Sequence, residues 1–292
     1  MVLLDPQHEP DAVYNSLEEF LAKDDRHQKV VRIQDGPMPL DFRYIDRGSE
    51  NLTAFFTAAV PKDSLAPRFT GFGISTTLPT NGLHFADPSV ALTPEIFLAW
   101  YTGSAQQPMR GVIPQIIRHY QPENSSGRTV MYGGSGGGFA GLVNGFELPD
   151  SICVAANPQT DLRKYNPPVV RRWLEACWPT NNQKPADIDQ IDPATDLVSL
   201  YSGGSPNKVI YLQNTQDGTH MSPHFEPFIR ATQGHPGVRY FVGDWGEGHN
   251  PPPKDLIVQT LQFALTHSWE APDWGEAGYR LAREYTTSPS HK

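Results

Sequence analysis

The run Met131-Tyr132-Gly133-Gly134-Ser135-Gly136-Gly137-Gly138-Phe139 decides the fold of this chain. It follows a short β-like run, 128–132, and precedes a segment typical of a helix, 139–146. Residues 133–137 fit G-x-S-x-G, a pattern in which a serine occupies a sharp strand-to-helix turn and exposes its hydroxyl. The glycines permit backbone angles that residues with a Cβ avoid. We therefore predict that Ser135 is a nucleophile on such a turn.

The same glycines allow other interpretations. Gly136, Gly138 and Gly141 have the spacing of a dinucleotide-binding fingerprint. Asp161 lies 20 residues beyond the last of them (161 − 141), after the apolar run 152–156, where a ribose-binding acid would stand. A flexible glycine loop without catalytic function is the simplest alternative. The order of the remaining motifs must decide among the three.

Composition excludes several classes of function. The chain has 292 residues, of which 38% are hydrophobic and 19% charged, enough for one large α/β domain or two small ones. A net charge of −9 argues against nucleic acid as a main partner, because phosphate binding needs a basic surface. No apolar run approaches the roughly 18 residues of a membrane span. The N-terminus lacks the basic start and apolar core of a secretory signal, so we expect a cytoplasmic protein. The oligomeric state is not indicated.

Strands and helices alternate along the chain. Apolar–polar alternation and apolar runs predict strands at 29–33, 40–45, 52–60, 82–87, 128–132, 152–156, 208–212 and 238–242. Amphipathic or helix-like spacing predicts helices at 11–24, 107–120, 139–146, 169–178 and 254–267. This alternation indicates an α/β fold with a mostly parallel central sheet flanked by helices.

The predicted domain organisation has three parts. Residues 1–27 form an N-terminal helical extension, and residues 28–268 form the main domain. Within that domain, residues 161–205 are rich in Pro, Asp and Asn and interrupt the alternation, so we interpret them as a small cap insertion. Residues 269–292 are a polar tail that we expect to pack loosely.

A serine nucleophile needs a base and an acid that orients the base. Asp217 follows the predicted strand 208–212, and His249 follows the predicted strand 238–242. The order serine, acid, histidine is that of α/β-hydrolases. Asp161, one strand earlier, is the alternative acid, and we favour Asp217.

In this order of motifs, the chain resembles the α/β-hydrolase superfamily over residues 28–268. The resemblance implies that Ser135 attacks an acyl carbon, that His249 takes its proton and that Asp217 orients the imidazole. It also implies two backbone donors for the oxyanion. The Gly136 N–H is the first, and the loop after strand 52–60 supplies the second, for which Ala59 is our choice over the segment 69–73.

Three short runs, 100–103, 133–138 and 157–161, resemble hydrolase-like proteins linked to bacterial capsule and surface-glycan production. If this second resemblance holds, Trp100, Tyr101 and Trp173 would line a site for a saccharide. The alternative is that these aromatic side chains pack in the core.

We predict a serine hydrolase that cleaves a carboxylic ester of a small molecule or saccharide through an acyl-enzyme. The alternatives are an acyltransferase or deacylase acting on a saccharide, and a non-catalytic partner in glycan assembly. Neither a cofactor nor a metal is expected. His220 and His224 have the i, i+4 spacing that could hold a metal on a helix, but the sequence offers no third ligand, so we interpret them as surface or packing residues.

Overall fold

A ten-stranded sheet forms the centre of the protein. The computed structural model describes residues 4–23, 26, 29–61, 64–121, 125–180, 182, 184–191 and 193–286. The strands of the large sheet are β1 (Ala12–Tyr14), β2 (Val30–Ile33), β3 (Leu40–Ile45), β4 (Leu52–Phe56), β5 (Asn81–Phe85), β8 (Thr129–Gly134), β9 (Ile152–Ala156), β10 (Lys208–Asn214), β11 (Val238–Gly243) and β12 (Arg280–Leu281). A separate ladder joins β6 (Gly103–Ser104) to β7 (Gln107–Pro108).

Helices cover both faces of this sheet. They are α1 (Leu17–Leu21), α2 (Phe72–Ser75), α3 (Val112–Tyr120), α4 (Gly136–Phe146), α5 (Pro167–Cys177), α6 (Leu197–Ser202), α7 (Gly218–His220), α8 (Glu226–Ala231), α9 (Lys254–Thr266) and α10 (Asp273–Glu276). A π-helical turn, Met221–Phe225, joins α7 to α8, and short 3₁₀ turns lie at 88–91, 162–164, 188–190, 193–195 and 282–284. The longest helix, α9, has 13 residues. Among the described residues, no helix combines the length and apolarity that crossing a bilayer requires.

The sheet is mostly parallel. Its strands are ordered β1-β2-β3-β5-β4-β8-β9-β10-β11-β12. The six neighbours from β5 to β11 run parallel to one another, whereas β3 and β12 are antiparallel to their partners. The predicted α/β fold with a mostly parallel sheet between helices is therefore confirmed.

The central strands are buried on both faces, as their continuous apolar sequences predict. On β10, Val209 and Tyr211 belong to the core cluster that includes α5, α6 and α8. Ile210 and Leu212 belong instead to the cluster that includes α9 and α10. Because successive side chains of a strand point to opposite faces, this one strand supports two helical layers.

The N-terminal segment corrects the predicted helical extension at 1–27. Ala12–Tyr14 form strand β1, which pairs in parallel with β2 at the edge of the sheet. Among the described residues of this segment, only Leu17–Leu21 are helical, and Ser16 caps this short helix, because its hydroxyl accepts a hydrogen bond from the Glu19 N–H. A β-branched and an aromatic residue, Val13 and Tyr14, favour the strand over the predicted helix at this position.

The C-terminal tail also differs from its prediction. Residues 280–281 form β12 on the edge strand β11, and Trp269, Trp274 and Tyr279 are buried against α9. Each aromatic ring removes a large apolar area from water, which outweighs the polar composition of the segment. Residues up to 286 are thus part of the packed domain, and residues 287–292 lie outside the described part.

Two predicted elements are shorter than expected. The strand predicted at 52–60 ends at Phe56, so Ala59 lies in the following loop. The helix predicted at 107–120 begins only at Val112, because Gly111 adopts a left-handed φ of 75° and 107–108 pair as β7. The first change matters for function, since it places residues 57–60 at the carboxyl end of β4.

The predicted cap at 161–205 packs closely on the outer face of α4. The helix predicted at 169–178 is α5, and its buried residues join the same core cluster as Phe139 and Leu142 of α4. Arg163 joins the start of the segment to a later part of it, because its guanidinium contacts the carboxylates of Asp161 and Asp196. The described residues of this segment are therefore packed against α4, and its role as a cap stays a prediction.

Candidate active site

Ser135 lies on a strained turn between β8 and α4. Its φ of 51° and ψ of −121° are unusual for a residue with a side chain. The turn is fixed by the Ser135 N–H, which donates to the Ala156 carbonyl of β9 at 2.8 Å. Strain of this kind costs of the order of 1–3 kcal/mol, and it persists only where the surroundings enforce it. The turn that G-x-S-x-G predicts is present.

The contacts of Gly133 and Gly137 explain the pattern. A Cβ on Gly133 would lie 2.2 Å from the carbonyl of Gly137, and one on Gly137 would lie 2.5 Å from the Phe56 carbonyl. Backbone atoms cannot yield as a flexible side chain can, so both positions need glycine. A Cβ on Gly134 would meet only the Ala156 carbonyl, at 3.7 Å. The turn therefore requires the glycines that flank the serine at two residues' distance.

The dinucleotide interpretation finds no support in this geometry. Gly136, Gly138 and Gly141 lie inside α4 rather than in a loop before it, and the helix uses them for close packing. A Cβ on Gly138 would lie 2.9 Å from the Cβ of Pro158. Asp161, the acid that would hold the ribose, is paired with Arg163 at 2.8 Å.

Four loops meet at the carboxyl edge of the parallel strands. They follow β8, β9, β10 and β11, and they carry Ser135, Gln159, Asp217 and His249 respectively. Because the four strands are adjacent and parallel, their carboxyl ends lie side by side. In open α/β sheets, ligands bind in the crevice at this edge.

Asp217 is a buried carboxylate with three side-chain donors. It accepts from His249 Nδ1 at 2.5 Å, from Thr219 Oγ1 at 2.6 Å and from His220 Nδ1 at 3.0 Å. Burial works to raise the pKa of Asp217, but hydrogen bonds from His220, His249 and Thr219 outweigh it and hold that pKa far below its usual range. These hydrogen bonds therefore favour the ionised form of Asp217.

The two histidines on Asp217 have different environments. Their rings are stacked, with centroids 4.0 Å apart and planes inclined by 16°. The side chain of His220 is 3% exposed, whereas that of His249 is 37% exposed. Only the His249 ring therefore reaches the open side of the crevice.

Gln159 contacts the serine directly. Its Nε2 lies 2.9 Å from Ser135 Oγ and 2.8 Å from His220 Nε2, and its Oε1 accepts from Trp100 Nε1 at 3.0 Å. Among the described residues, no hydrogen bond joins Ser135 to His249. In proteins without bound substrate, catalytic hydrogen bonds are often long and tighten when the substrate binds.

Two buried asparagines position the loop that carries His249. The Asn214 side chain donates to the carbonyls of Gly246 and Gly248, each at 2.8 Å. The Asn157 side chain donates to the Asn250 carbonyl at 2.7 Å and accepts from the Asn214 N–H at 2.7 Å. These amides, at the ends of β9 and β10, hold the histidine loop against the sheet.

The first turn of α4 offers backbone donors beside Ser135. The Gly136 N–H is at the start of the helix, where N–H groups have no partner within the helix. On the other side, Tyr101 Oη occupies the Thr57 N–H at 2.7 Å, which leaves the next residues, Ala58 and Ala59. Among the described residues, neither of their N–H groups donates a hydrogen bond. Gly136 and Ala59 thus remain the predicted donors for an oxyanion.

The aromatic side chains predicted to bind substrate are buried. Trp100 and Trp173 are 1% and 0% exposed and form an edge-to-face pair with centroids 5.2 Å apart. Tyr101 is 5% exposed, and its hydroxyl donates to the Phe85 carbonyl. These rings support the wall behind the crevice, and direct contact with a substrate stays a prediction.

The same cluster contains possible metal ligands. Ligand atoms of Asp217, His220 and His249 all lie within 4.8 Å of one another. The contacts of Asp217 with both Nδ1 atoms have hydrogen-bond lengths, so a metal would have to displace both protons. Among the described residues, His224 is not part of this cluster, and its Nδ1 accepts from the Thr160 N–H.

Four residues of this site were not predicted from the sequence. Gln159, Asn157 and Asn214 are amides, which carry no characteristic spacing, and His220 was interpreted as a packing or metal-binding residue. The available signal was position: each lies at the carboxyl end of β9 or β10 or within six residues beyond it. Polar residues at such ends converge at the crevice.

No family model matches this chain, and no curated protein sequence matches it. Solved structures do match. The capsule O-acetyltransferase of Neisseria meningitidis serogroup A has 16% identity and a TM-score of 0.55, with 77% of this chain and 92% of that chain covered. An esterase of Pyrococcus furiosus has 17% identity and a TM-score of 0.56, with 89% of this chain and 100% of that chain covered.

A third structural neighbour is larger. The glycosylation-associated protein complex Gap123 from Streptococcus agalactiae has 14% identity and a TM-score of 0.52, with 77% of this chain and 43% of that chain covered. At such low identities, the likeness of all three concerns the fold. The order of the sheet, the serine turn after β8 and these neighbours together identify the chain as a protein of the α/β-hydrolase fold.

Proposed function

We propose that the protein is a serine hydrolase that cleaves a carboxylic ester through an acyl-enzyme. One observation carries the proposal: a buried, ionised Asp217 holds His249 at 2.5 Å, at the same sheet edge as the strained Ser135. An ionised carboxylate fixes the histidine tautomer with its proton on Nδ1, which leaves Nε2 free to accept a proton. This is the base that a serine hydroxyl needs.

The reaction follows from these positions. As Ser135 Oγ attacks the ester carbonyl, its proton passes to His249 Nε2, and the positive charge on the ring is stabilised by Asp217. The carbonyl oxygen becomes an oxyanion, to which the Gly136 N–H donates. The intermediate collapses, the C–O bond breaks and His249 returns the proton to the leaving alcohol. Water, activated by the same histidine, then releases the carboxylic acid and restores Ser135.

The nucleophile assignment is tested by covalent labelling. The Ser135→Ala variant should lose all reaction with a fluorophosphonate probe, because the probe needs an activated hydroxyl, while its melting temperature stays near that of the wild type. The measurement is intact-protein mass spectrometry, with 4-nitrophenyl acetate hydrolysis run in parallel before and after EDTA. A wild-type protein that is never labelled would instead favour a non-catalytic partner in glycan assembly.

The acid assignment is tested by a matched pair of carboxylates. The Asp217→Asn variant should lower kcat by about 10⁴-fold, because the loss of the orienting acid leaves the wrong histidine tautomer. The Asp161→Asn variant should keep kcat within a few-fold of the wild type, since its partner is Arg163. Steady-state kinetics on one ester measure both. The reverse ranking would make Asp161 the acid.

Acyl transfer to a saccharide is the second candidate. The observation that favours it is the likeness to the capsule O-acetyltransferase, of which 92% is covered. A transferase would use the same acyl-enzyme and replace water with a sugar hydroxyl. Product analysis of an acetyl-ester reaction, with and without a saccharide acceptor, separates the two. A hydrolase gives acetate at an unchanged rate in both reactions, whereas a transferase gives acetylated sugar and releases little acetate without the acceptor.

A further inference from the structure

The hydrogen bonds of Gln159 have only one consistent direction. The Nε1–H of the Trp100 indole can only donate, so the atom of Gln159 that faces it must be the carbonyl oxygen. The amide NH₂ therefore faces the other way, toward Ser135 Oγ and His220 Nε2. Trp100 thus determines the orientation of the Gln159 amide. Both Gln159 contacts on this side are donations.

This direction fixes the protonation of His220. Because Gln159 donates to His220 Nε2, that nitrogen carries a lone pair and no proton. A neutral imidazole then has its proton on Nδ1, and this atom lies 3.0 Å from the Asp217 carboxylate, which can only accept. A His220 with a proton on Nε2 would face the Gln159 NH₂ group as donor against donor. The Nε2 lone pair of His220 is thus used by Gln159, and no hydrogen bond among the described residues directs it toward Ser135.

The serine is fixed by the same amide. Ser135 Oγ accepts one hydrogen bond from Gln159, so its own proton is directed elsewhere. His249 is the remaining candidate, since its Nδ1 is bound to Asp217 and its ring faces the open crevice. The buried His220 ring, stacked 4.0 Å from that of His249, supports its orientation from behind.

We propose that Gln159 and His220 are a pair of positioning residues. Gln159 holds Ser135 Oγ as a hydrogen-bond acceptor, and His220 holds Asp217 and His249 in the orientation needed for attack by the serine. The proposal rests on the proposed function. It assigns different roles to the two histidines that share Asp217: His249 moves the proton, and His220 keeps its own proton on Nδ1 throughout. Neither positioning residue takes part in a bond-forming step.

The surroundings of His220 favour this neutral state. Within the described part of the chain, Asp217 is the one anion that contacts the ring, and His249, His224 and Tyr165 lie around it at centroid distances of 4.0, 5.2 and 6.1 Å. Burial lowers the pKa of His220 and the nearby His249 acts in the same direction, while the hydrogen bond to Asp217 partly opposes them. The balance lowers the pKa, in agreement with the geometry.

The first test reads the tautomer and does not depend on activity. In the wild-type protein labelled with ¹⁵N-histidine, long-range ¹H–¹⁵N correlation at neutral pH should show His220 with a protonated Nδ1 and an unprotonated Nε2. The signal is assigned by its absence from the His220→Asn variant. A proton on Nε2 of His220, or a His220 imidazolium, would overturn the proposal whether or not the protein is catalytically active.

The second test separates positioning from packing. The Gln159→Met variant keeps the volume of the side chain but loses both donors, so kcat should fall on the order of 10²-fold while KM changes little. The His220→Asn variant, whose amide can still donate to Asp217, should retain more activity than His220→Leu. The matched control is His224→Asn, a change to the neighbouring buried histidine that keeps an acceptor for the Thr160 N–H, and its kcat should match the wild type.

The outcomes distinguish the two proposals. A wild-type protein that neither reacts with a fluorophosphonate nor cleaves esters would contradict the proposed function. The NMR measurement would still give the tautomer of His220 in that case. A reactive wild type with a Gln159→Met variant of equal kcat would contradict the positioning role alone. An equal loss of kcat in His220→Asn, His220→Leu and His224→Asn would show that the loss comes from disturbed packing, and this result would also contradict the positioning role.

Discussion

The hydrogen bonding of one buried carboxylate, Asp217, determines the arrangement of the whole site. An isolated ion in the interior would cost several kcal/mol, so Asp217 is tolerated because Thr219, His220 and His249 donate to it. Each donor is thereby fixed in orientation as well as in place. The carboxylate orders two imidazole rings at once, and one of them reaches the open crevice.

The sheet makes this arrangement possible. Parallel neighbours bring the ends of four strands together, so residues separated by more than a hundred positions, Ser135 and His249, share one edge. The glycines at 133 and 137 bring the serine turn against β4, and the buried Asn214 holds the histidine loop against the end of β10. Rigid elements on both sides therefore hold Ser135 and His249 in place, so little movement is needed before catalysis.

The sequence predicted the features that rest on backbone geometry and chain order. G-x-S-x-G placed Ser135 on its turn, because the close contacts at positions 133 and 137 exclude other residues. The order of strands placed Asp217 and His249 on neighbouring loops. The position of Gln159 and His220 after parallel strands was a signal, but their roles were not predictable, because these roles depend on hydrogen-bond directions set by Trp100, which is 59 residues from Gln159 along the chain.

The errors at the two ends of the chain have another cause. Short segments such as 12–14 and 280–281 have too few residues for a periodic signal, and both become strands only because a sheet edge is available to pair with them. The buried aromatic rings of the tail contribute more to packing in the core than the polar composition of the tail suggested. Tertiary contacts therefore determine the secondary structure at the two ends of the chain, whereas local sequence patterns were enough to predict most of the central strands and helices.

His249, and not His220, is the proposed base for Ser135. The sharpest test is a crystal structure of the wild-type protein after reaction with a phosphonate ester, since the adduct imitates the tetrahedral intermediate. We expect phosphorus bonded to Ser135 Oγ, His249 Nε2 about 3 Å from that oxygen or from the leaving-group position, and His220 still hydrogen-bonded to Gln159 and Asp217. A phosphonate with His220 Nε2 in that position, or one attached to another residue, would rule out this role for His249.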